Sequence, residues 1–176
     1  MTLSRLRVPL GYAAGVLVVI LARPRMESVA AGMALAVLGE AIRIWASGHI
    51  EKTARLATGG PYAHTRNPLY VGSALLALGV AVASASLFVV IAVAAYFGAF
   101  YPAVMREESA FLAARFPEEY AAWAHDVPAF LPRLRPAGPR AGRFDWGRVR
   151  TNREWRTAAA LPVVAAVLAA RALLPR

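Results

Sequence analysis

Residues 69–105 read LYVGSALLALGVAVASASLFVVIAVAAYFGAFYPAVM. Two apolar runs, Leu69–Ala83 and Leu87–Met105, flank the uncharged turn Ser84-Ala85-Ser86. A ~30 Å hydrocarbon core takes about 20 helical residues to cross, with a lower limit near 17. The run Leu87–Met105 meets that length, and Leu69–Ala83 reaches it by taking in the turn before it and Ser84 to Ser86. The stretch therefore reads as a helical hairpin embedded in a membrane.

Three further apolar runs are Val8–Ala22, Ser28–Ala46 and Ala158–Leu174. Ser28–Ala46 and Ala158–Leu174 are long enough to span, although Pro162 and Arg171 interrupt the latter. Val8–Ala22 is short and follows Arg5 and Arg7, as a signal peptide would. Ala22-Arg23-Pro24 makes a poor cleavage site, so a retained helix is expected. Hydrophobic residues make up 59% of the chain, above the roughly half typical of soluble domains. Mean hydropathy is +0.48. The expected fold is all-α: one polytopic membrane domain over residues 1–176 with about five transmembrane helices.

The formal net charge is +10, and Lys52 is the only Lys among 20 basic residues. The basic residues sit between apolar runs, which favours anionic lipid headgroups and control of topology over nucleic acid. Arg5, Arg7, Arg43, Lys52, Arg55, Arg66 and every Arg from Arg106 to Arg156 fall on one side of the alternating runs. Only Arg23, Arg25, Arg171 and Arg176 fall on the other. The positive-inside rule then places both long connections, residues 47–68 and 106–156, in the cytoplasm. The expected location is a bacterial or archaeal inner membrane with the site facing the cytoplasm. Residues 136–156 interleave Arg with Phe144, Trp146 and Trp155. They read as a basic interfacial segment ahead of the C-terminal apolar helix, with rings at headgroup level and Arg on lipid phosphate.

Immediately upstream of the hairpin, residues 59–72 read GGPYAHTRNPLYVG. Pro61 and Pro68 fix φ and disfavour helix in the residue before each. Gly59 and Gly60 admit backbone geometry closed to other residues. The segment is a shaped loop with Pro68 placed to open the next helix. Backbone N–H groups at a helix start receive carboxylates and hydroxyls. Tyr62 and Tyr70 offer flat faces to an adenine or a sulfonium. The same residues also suit an interfacial turn, with Tyr as belt residues and Arg66 on a lipid phosphate, and spacing alone leaves both readings open.

Immediately downstream, Glu107-Glu108 stand on a strongly basic face. Either they continue a solvated helix, or one accepts hydrogen bonds from a ribose diol or an ammonium. Glu40 and Arg43 lie inside the run Ser28–Ala46, three residues apart on one helix face. Ionisable groups there pair with each other or face a cavity. Cys is absent, which excludes disulfides and thiolate chemistry. His49, His64 and His125 have no metal-ligand spacing, so no metal site is expected. There is no P-loop, GxGxxG or GxSxG.

These pieces, in this order, resemble the isoprenylcysteine carboxyl methyltransferases and their phospholipid methyltransferase relatives. The resemblance covers residues 40–132. Residues 60–72 look like the family's G-x-Y-x-x-x-R-[HN]-P-x-Y-x-G. Glu107-Glu108, Leu112, Phe116, Glu119-Tyr120, Val127-Pro128 and Pro132 are similar to E-E-x-x-x-L-x-x-x-F-x-x-E-Y followed by V-P and P. The resemblance implies an integral membrane methyltransferase that uses S-adenosyl-L-methionine and takes a lipophilic acceptor from the bilayer. By carry-over, Arg55, Leu56, Ala57, Tyr62, Asn67, Pro68, Leu69 and Tyr70 would line the cofactor, and Glu108 would hydrogen-bond it with Glu107 alongside. Arg43 and Arg66 would be the catalytic arginines, Arg43 near the transferred methyl and Arg66 bracing the loop. Asn67 stands where the eukaryotic enzymes have His. Val104 stands where the eukaryotic carboxyl methyltransferases have an Arg associated with the acceptor, so a prenylcysteine carboxylate is not singled out. Two other classes share the features: a membrane reductase of the sterol-reductase type using NADPH, and a non-catalytic membrane scaffold. Nothing in the sequence sets an oligomeric state.

Overall fold

The computed structural model describes residues 15, 18, 20–51, 55–138 and 142–174. Among them the elements are α1 (Met26–Ser47), a 3-10 turn (Gly60–Ala63), α2 (Pro68–Ser84), α3 (Leu87–Arg115), α4 (Pro117–Asp126), α5 (Trp146–Thr151) and α6 (Trp155–Leu173), with no strand. The protein is an all-α integral membrane protein. The helices α1, α3 and α6 are long and apolar enough to cross a bilayer, and α2 is shorter at 17 residues. Pro162 lies inside α6 without ending it. Most of the run Val8–Ala22 lies outside the described residues, as do Arg5, Arg7 and Lys52.

Two compact units divide the chain, one from Met1–Leu38, Ala74–Val104 and Ala158–Arg176, the other from Gly39–Ser73 and Met105–Thr157. In the first unit, helices approach through small residues. A Cβ added at Gly32 would lie 2.3 Å from Gly79 O and 2.4 Å from Ala83 N, and one at Gly79 would lie 2.5 Å from Ala36 N. Backbones this close are the usual basis of helix association in lipid, where packing replaces the hydrophobic drive. Ala22, Val29, Ala83 and Leu168 form one buried cluster and Val18, Ala81 and Val89 another. Leu87, Phe88 and Ile91 stay exposed, and only 6% of the most apolar window of α3 is buried. A helix apolar all round with so little covered is built for lipid contact.

The hairpin turn is closed by Ser84, whose Oγ donates to Ala81 O at 2.7 Å and accepts from Ser86 N at 3.3 Å. Arg23 N donates to Ser84 O at 2.8 Å, and Ser28 Oγ to Ala83 O at 3.1 Å. The Arg23-Pro24-Arg25 turn and the hairpin turn therefore meet at one end of the first unit, as an alternating helix path requires.

The second unit gathers the long connections. Its core is Ala46, Leu56, Tyr62, Trp123 and Val127, with Leu112, Phe116 and Tyr120 packed against it. Pro68 opens α2, as its position before the apolar run anticipates. Gly60 has φ +56, and a Cβ there would lie 2.4 Å from the His49 ring, so glycine is required on both counts. Gly59 has an ordinary extended backbone, φ −91 and ψ 174, so it does not need the freedom expected of it.

Candidate functional site

The polar loop before α2 is held by the segment after α4. Arg66 N donates to Pro128 O at 2.9 Å, Arg133 N to His64 O at 3.0 Å and Ala137 N to Ala63 O at 2.9 Å. Side chains add to the lacing. Asn67 Nδ2 donates to Ala129 O at 2.8 Å, Thr65 Oγ1 to Phe130 O at 2.9 Å, and His64 Nδ1 lies 2.8 Å from Arg133 O. A loop rich in Pro and Gly has no internal ladder, so its buried backbone and side-chain groups need these partners. The Val127-Pro128 and Pro132 positions supply an irregular chain with carbonyls to spare.

Above this floor lies a cavity of about 250 Å³ within the second unit, lined by Tyr62 and Arg66 from the loop and by Glu108, Phe111, Leu112 and Phe116 from α3 and its end. Ile50, Glu51, Arg55, Leu56, Ala57 and Trp123 complete the wall. Trp123 is buried, and its Nε1 donates to Tyr62 O at 2.9 Å. Burial, and then the Glu108 carboxylate, push the Tyr62 hydroxyl well above its ordinary pKa of 10.0. It is thus a neutral donor at any physiological pH. Tyr70 Oη donates to Glu108 Oε2 at 2.8 Å. Arg66 Nη1 donates to Tyr120 Oη at 3.0 Å, with its guanidinium carbon 5.9 Å from that ring. One Glu51 oxygen is ion-paired with Arg55 Nε at 3.1 Å, and the other accepts from Arg148.

Of the residues singled out in the sequence, Arg55, Leu56, Ala57, Tyr62, Arg66 and Glu108 line this one cavity. Asn67, Pro68, Leu69, Tyr70 and Glu107 are not in its lining. Asn67 braces the loop, Leu69 packs against the core, and Tyr70 reaches Glu108. Arg43 is also outside the lining. Its guanidinium contacts Glu154 at 2.5 Å and Glu40 at 3.4 Å, and donates to Ser73 Oγ. At 3.4 Å the Glu40 contact is an ion pair without a hydrogen bond, which is why both Glu40 oxygens lack a hydrogen-bond partner. Pairing was one of the two readings open for Arg43; the second acid, 111 residues away, was not foreseen. Glu51, Phe111 and Trp123 were also missed. Glu51, half-buried in the irregular chain after α1, and the isolated Trp123 carry no local signal.

Within the second unit, this mixed polar and aromatic cavity draws its lining from two stretches that the hairpin separates in sequence. Residues 12–119 match the phospholipid methyltransferase family, and the chain belongs to that family. It is 44% identical over 105 residues to the cobalt-zinc-cadmium resistance protein CzcN of Cupriavidus metallidurans, covering 58% of this chain and 47% of the relative. It is 38% identical over 107 residues to the nickel-cobalt-cadmium resistance protein NccN of Alcaligenes xylosoxydans xylosoxydans, with 58% and 47% covered. The chain thus spans about half the length of the curated relatives it matches. No solved structure matches it. Among the described residues no group of three or more His, Cys, Asp or Glu is arranged to hold a metal ion.

Proposed function

We propose that the protein is an integral membrane methyltransferase that binds S-adenosyl-L-methionine in the cavity of the second unit and methylates a lipophilic or membrane-delivered acceptor. The observation that carries this reading is the convergence of Tyr62 and Arg66 with Glu108, Leu112 and Phe116 on one cavity. Those residues belong to the two motifs that resemble the family, and the hairpin separates them in sequence.

The lining fits the cofactor's chemistry. Tyr62, Phe111, Phe116 and Trp123 supply aromatic surface for an adenine. Glu108 supplies a carboxylate for a ribose diol, an ammonium or a sulfonium. Arg55 and Arg66 supply cations for a carboxylate. When bound, the cofactor provides an electrophilic methyl on a good neutral leaving group. The protein's share is then to hold the partners in line at about 3–3.5 Å.

Several residues have assigned parts in this proposal. Trp123 holds the Tyr62 backbone, Tyr70 orients Glu108, and Tyr120 orients Arg66. Asn67 keeps the loop in shape, and Pro68 and Leu69 start the helix that carries Tyr70. Glu107 lies on the exposed face beside Glu108. Arg43 has its charge engaged by Glu154 and Glu40, so it acts by fixing the segments around it. The cavity faces the cytoplasm, from which a soluble cofactor arrives. The test is transfer of label from S-adenosyl-L-methionine to lipids, prenylcysteine analogues and small thiols by the purified protein. S-adenosylhomocysteine should stabilise the protein and NADPH should not; stabilisation by NADPH alone would replace this reading with the reductase.

A further inference from the structure

Residues 142–157 lie beyond the stretch 12–119 that carries the family match. The second unit nonetheless holds them by several contacts. A Cβ on Gly48 would lie 2.3 Å from the Phe144 ring, and that ring meets His49 at 6.0 Å. Asp145 N donates to Gly48 O and Asn152 Nδ2 to Ser47 O, each at 3.0 Å. These carbonyls, at and just past the C-terminus of α1, are of the kind a helix end leaves unsatisfied. Val149 is buried, and Glu154 reaches Arg43. Within this docked segment Arg148 donates to Glu51 Oε1 and, through Nη1, to Arg143 O at 2.8 Å.

Glu51 is the point where the segment meets the cavity wall. Its other oxygen is ion-paired with Arg55 Nε at 3.1 Å, and both Glu51 and Arg55 line the cavity. Charge counting decides what the bridge does. A Glu51–Arg55 pair alone is neutral. With Arg148 on Glu51 the three groups sum to one positive charge, and Arg55 keeps its attraction for an anion. We propose that Arg148 is a positioning residue: by offsetting the Glu51 carboxylate it leaves Arg55 at the cavity wall with uncompensated charge, to receive the carboxylate of a bound amino-acid moiety. This rests on the cofactor reading above, whose ligand has such a carboxylate at the end remote from its adenine. Arg66 lines the same cavity and adds a second cation. Glu108 is left as the wall's remaining carboxylate, suited to the ligand's cationic groups.

The experiment measures equilibrium binding of two ligands to the full chain in detergent micelles. One is S-adenosylhomocysteine; the other is 5′-methylthioadenosine, which keeps the nucleoside and sulfur but lacks the amino-acid end. Arg148→Ala should weaken S-adenosylhomocysteine roughly fivefold, the size of one charge-assisted contact partly screened by water. It should leave 5′-methylthioadenosine within about twofold, well inside the scatter of a surface charge change. Glu51→Gln should bind S-adenosylhomocysteine as tightly as wild type or more so, and Glu51→Gln/Arg148→Ala should recover the affinity lost in Arg148→Ala. Equal loss for both ligands, no loss, or weakening by Glu51→Gln would overturn the inference. Should Arg148→Ala fail to fold, Arg148→Gln, which keeps a donor for Glu51 and the Arg143 carbonyl without the charge, takes its place with the same expected loss for S-adenosylhomocysteine only. A wild-type protein that binds neither ligand would overturn the cofactor reading and the inference with it. A wild-type protein that binds, with variants that behave alike, overturns the inference only.

Discussion

Replacing Glu108 by Gln isolates one charge in the cavity. The carboxylate is on the exposed side of α3 yet lines the cavity, and it accepts Tyr70 Oη at 2.8 Å. A Gln side chain keeps an oxygen for that hydroxyl, so the Tyr70 contact survives and the negative charge is lost. At about 4 Å a unit charge pair is worth about 1 kcal/mol in water and about 4 kcal/mol at an effective dielectric of 20. An exposed carboxylate belongs near the lower end, so about 1–2 kcal/mol is expected, or roughly 5- to 30-fold in affinity. The assay is equilibrium binding of S-adenosyl-L-methionine and S-adenosylhomocysteine to wild type and Glu108→Gln. The two ligands differ by the sulfonium charge. A larger loss for S-adenosyl-L-methionine places Glu108 by the sulfur; equal losses place it by the ammonium or ribose. Unchanged affinity for both, with the thermal midpoint preserved, would refute a role for Glu108 in the cavity.

Tyr62 titrates above its ordinary value in the folded protein, so its stabilising contribution is complete below about pH 10 and declines as pH rises beyond it. Tyr62→Phe should flatten part of the alkaline limb of a stability–pH curve; an unaltered limb would show the hydroxyl to be exposed. Arg43→Ala leaves Glu154 and Glu40, with side chains 7% and 4% exposed, without their cation. It should cost about 3 kcal/mol by denaturant or thermal unfolding, and an Arg43→Ala/Glu154→Ala cycle should show strong coupling. Gly79→Leu forces a side chain where even a Cβ would lie 2.5 Å from Ala36 N and Gly32 O. It should lower stability by about 1–3 kcal/mol or more, while Gly98→Leu, where a Cβ meets nothing within 4 Å, should be close to neutral.

Much of the scaffold was legible because lipid makes a simple demand on sequence. Length and apolarity located α1, α3 and α6, and two serines located the hairpin turn. Pro68 marked the start of α2 and Gly60 a backbone state that only glycine adopts comfortably. The candidate site was legible in part. Tyr62, Arg66 and Glu108 stood out because polar and aromatic residues beside apolar runs have no packing reason to be there. The sequence did not show that the Asn67 amide also serves the loop through Ala129 O. That role depends on what lies opposite the loop, and the opposing segment is 62 residues away.

The sequence by itself determined an all-α membrane protein, the family motifs and most of the polar and aromatic residue types that the cavity gathers. These follow from local quantities: run length, charge placement, and the backbone limits of Pro and Gly. Only the tertiary structure decided which charges meet. It set Glu154 on Arg43 and Arg148 on Glu51, and put Trp123 beneath Tyr62. Residues separated by 111, 97 and 61 positions pair for reasons of packing and desolvation that no stretch of chain contains on its own. A charge exposed in a linear reading becomes a wall or a clasp once the chain around it has removed the water.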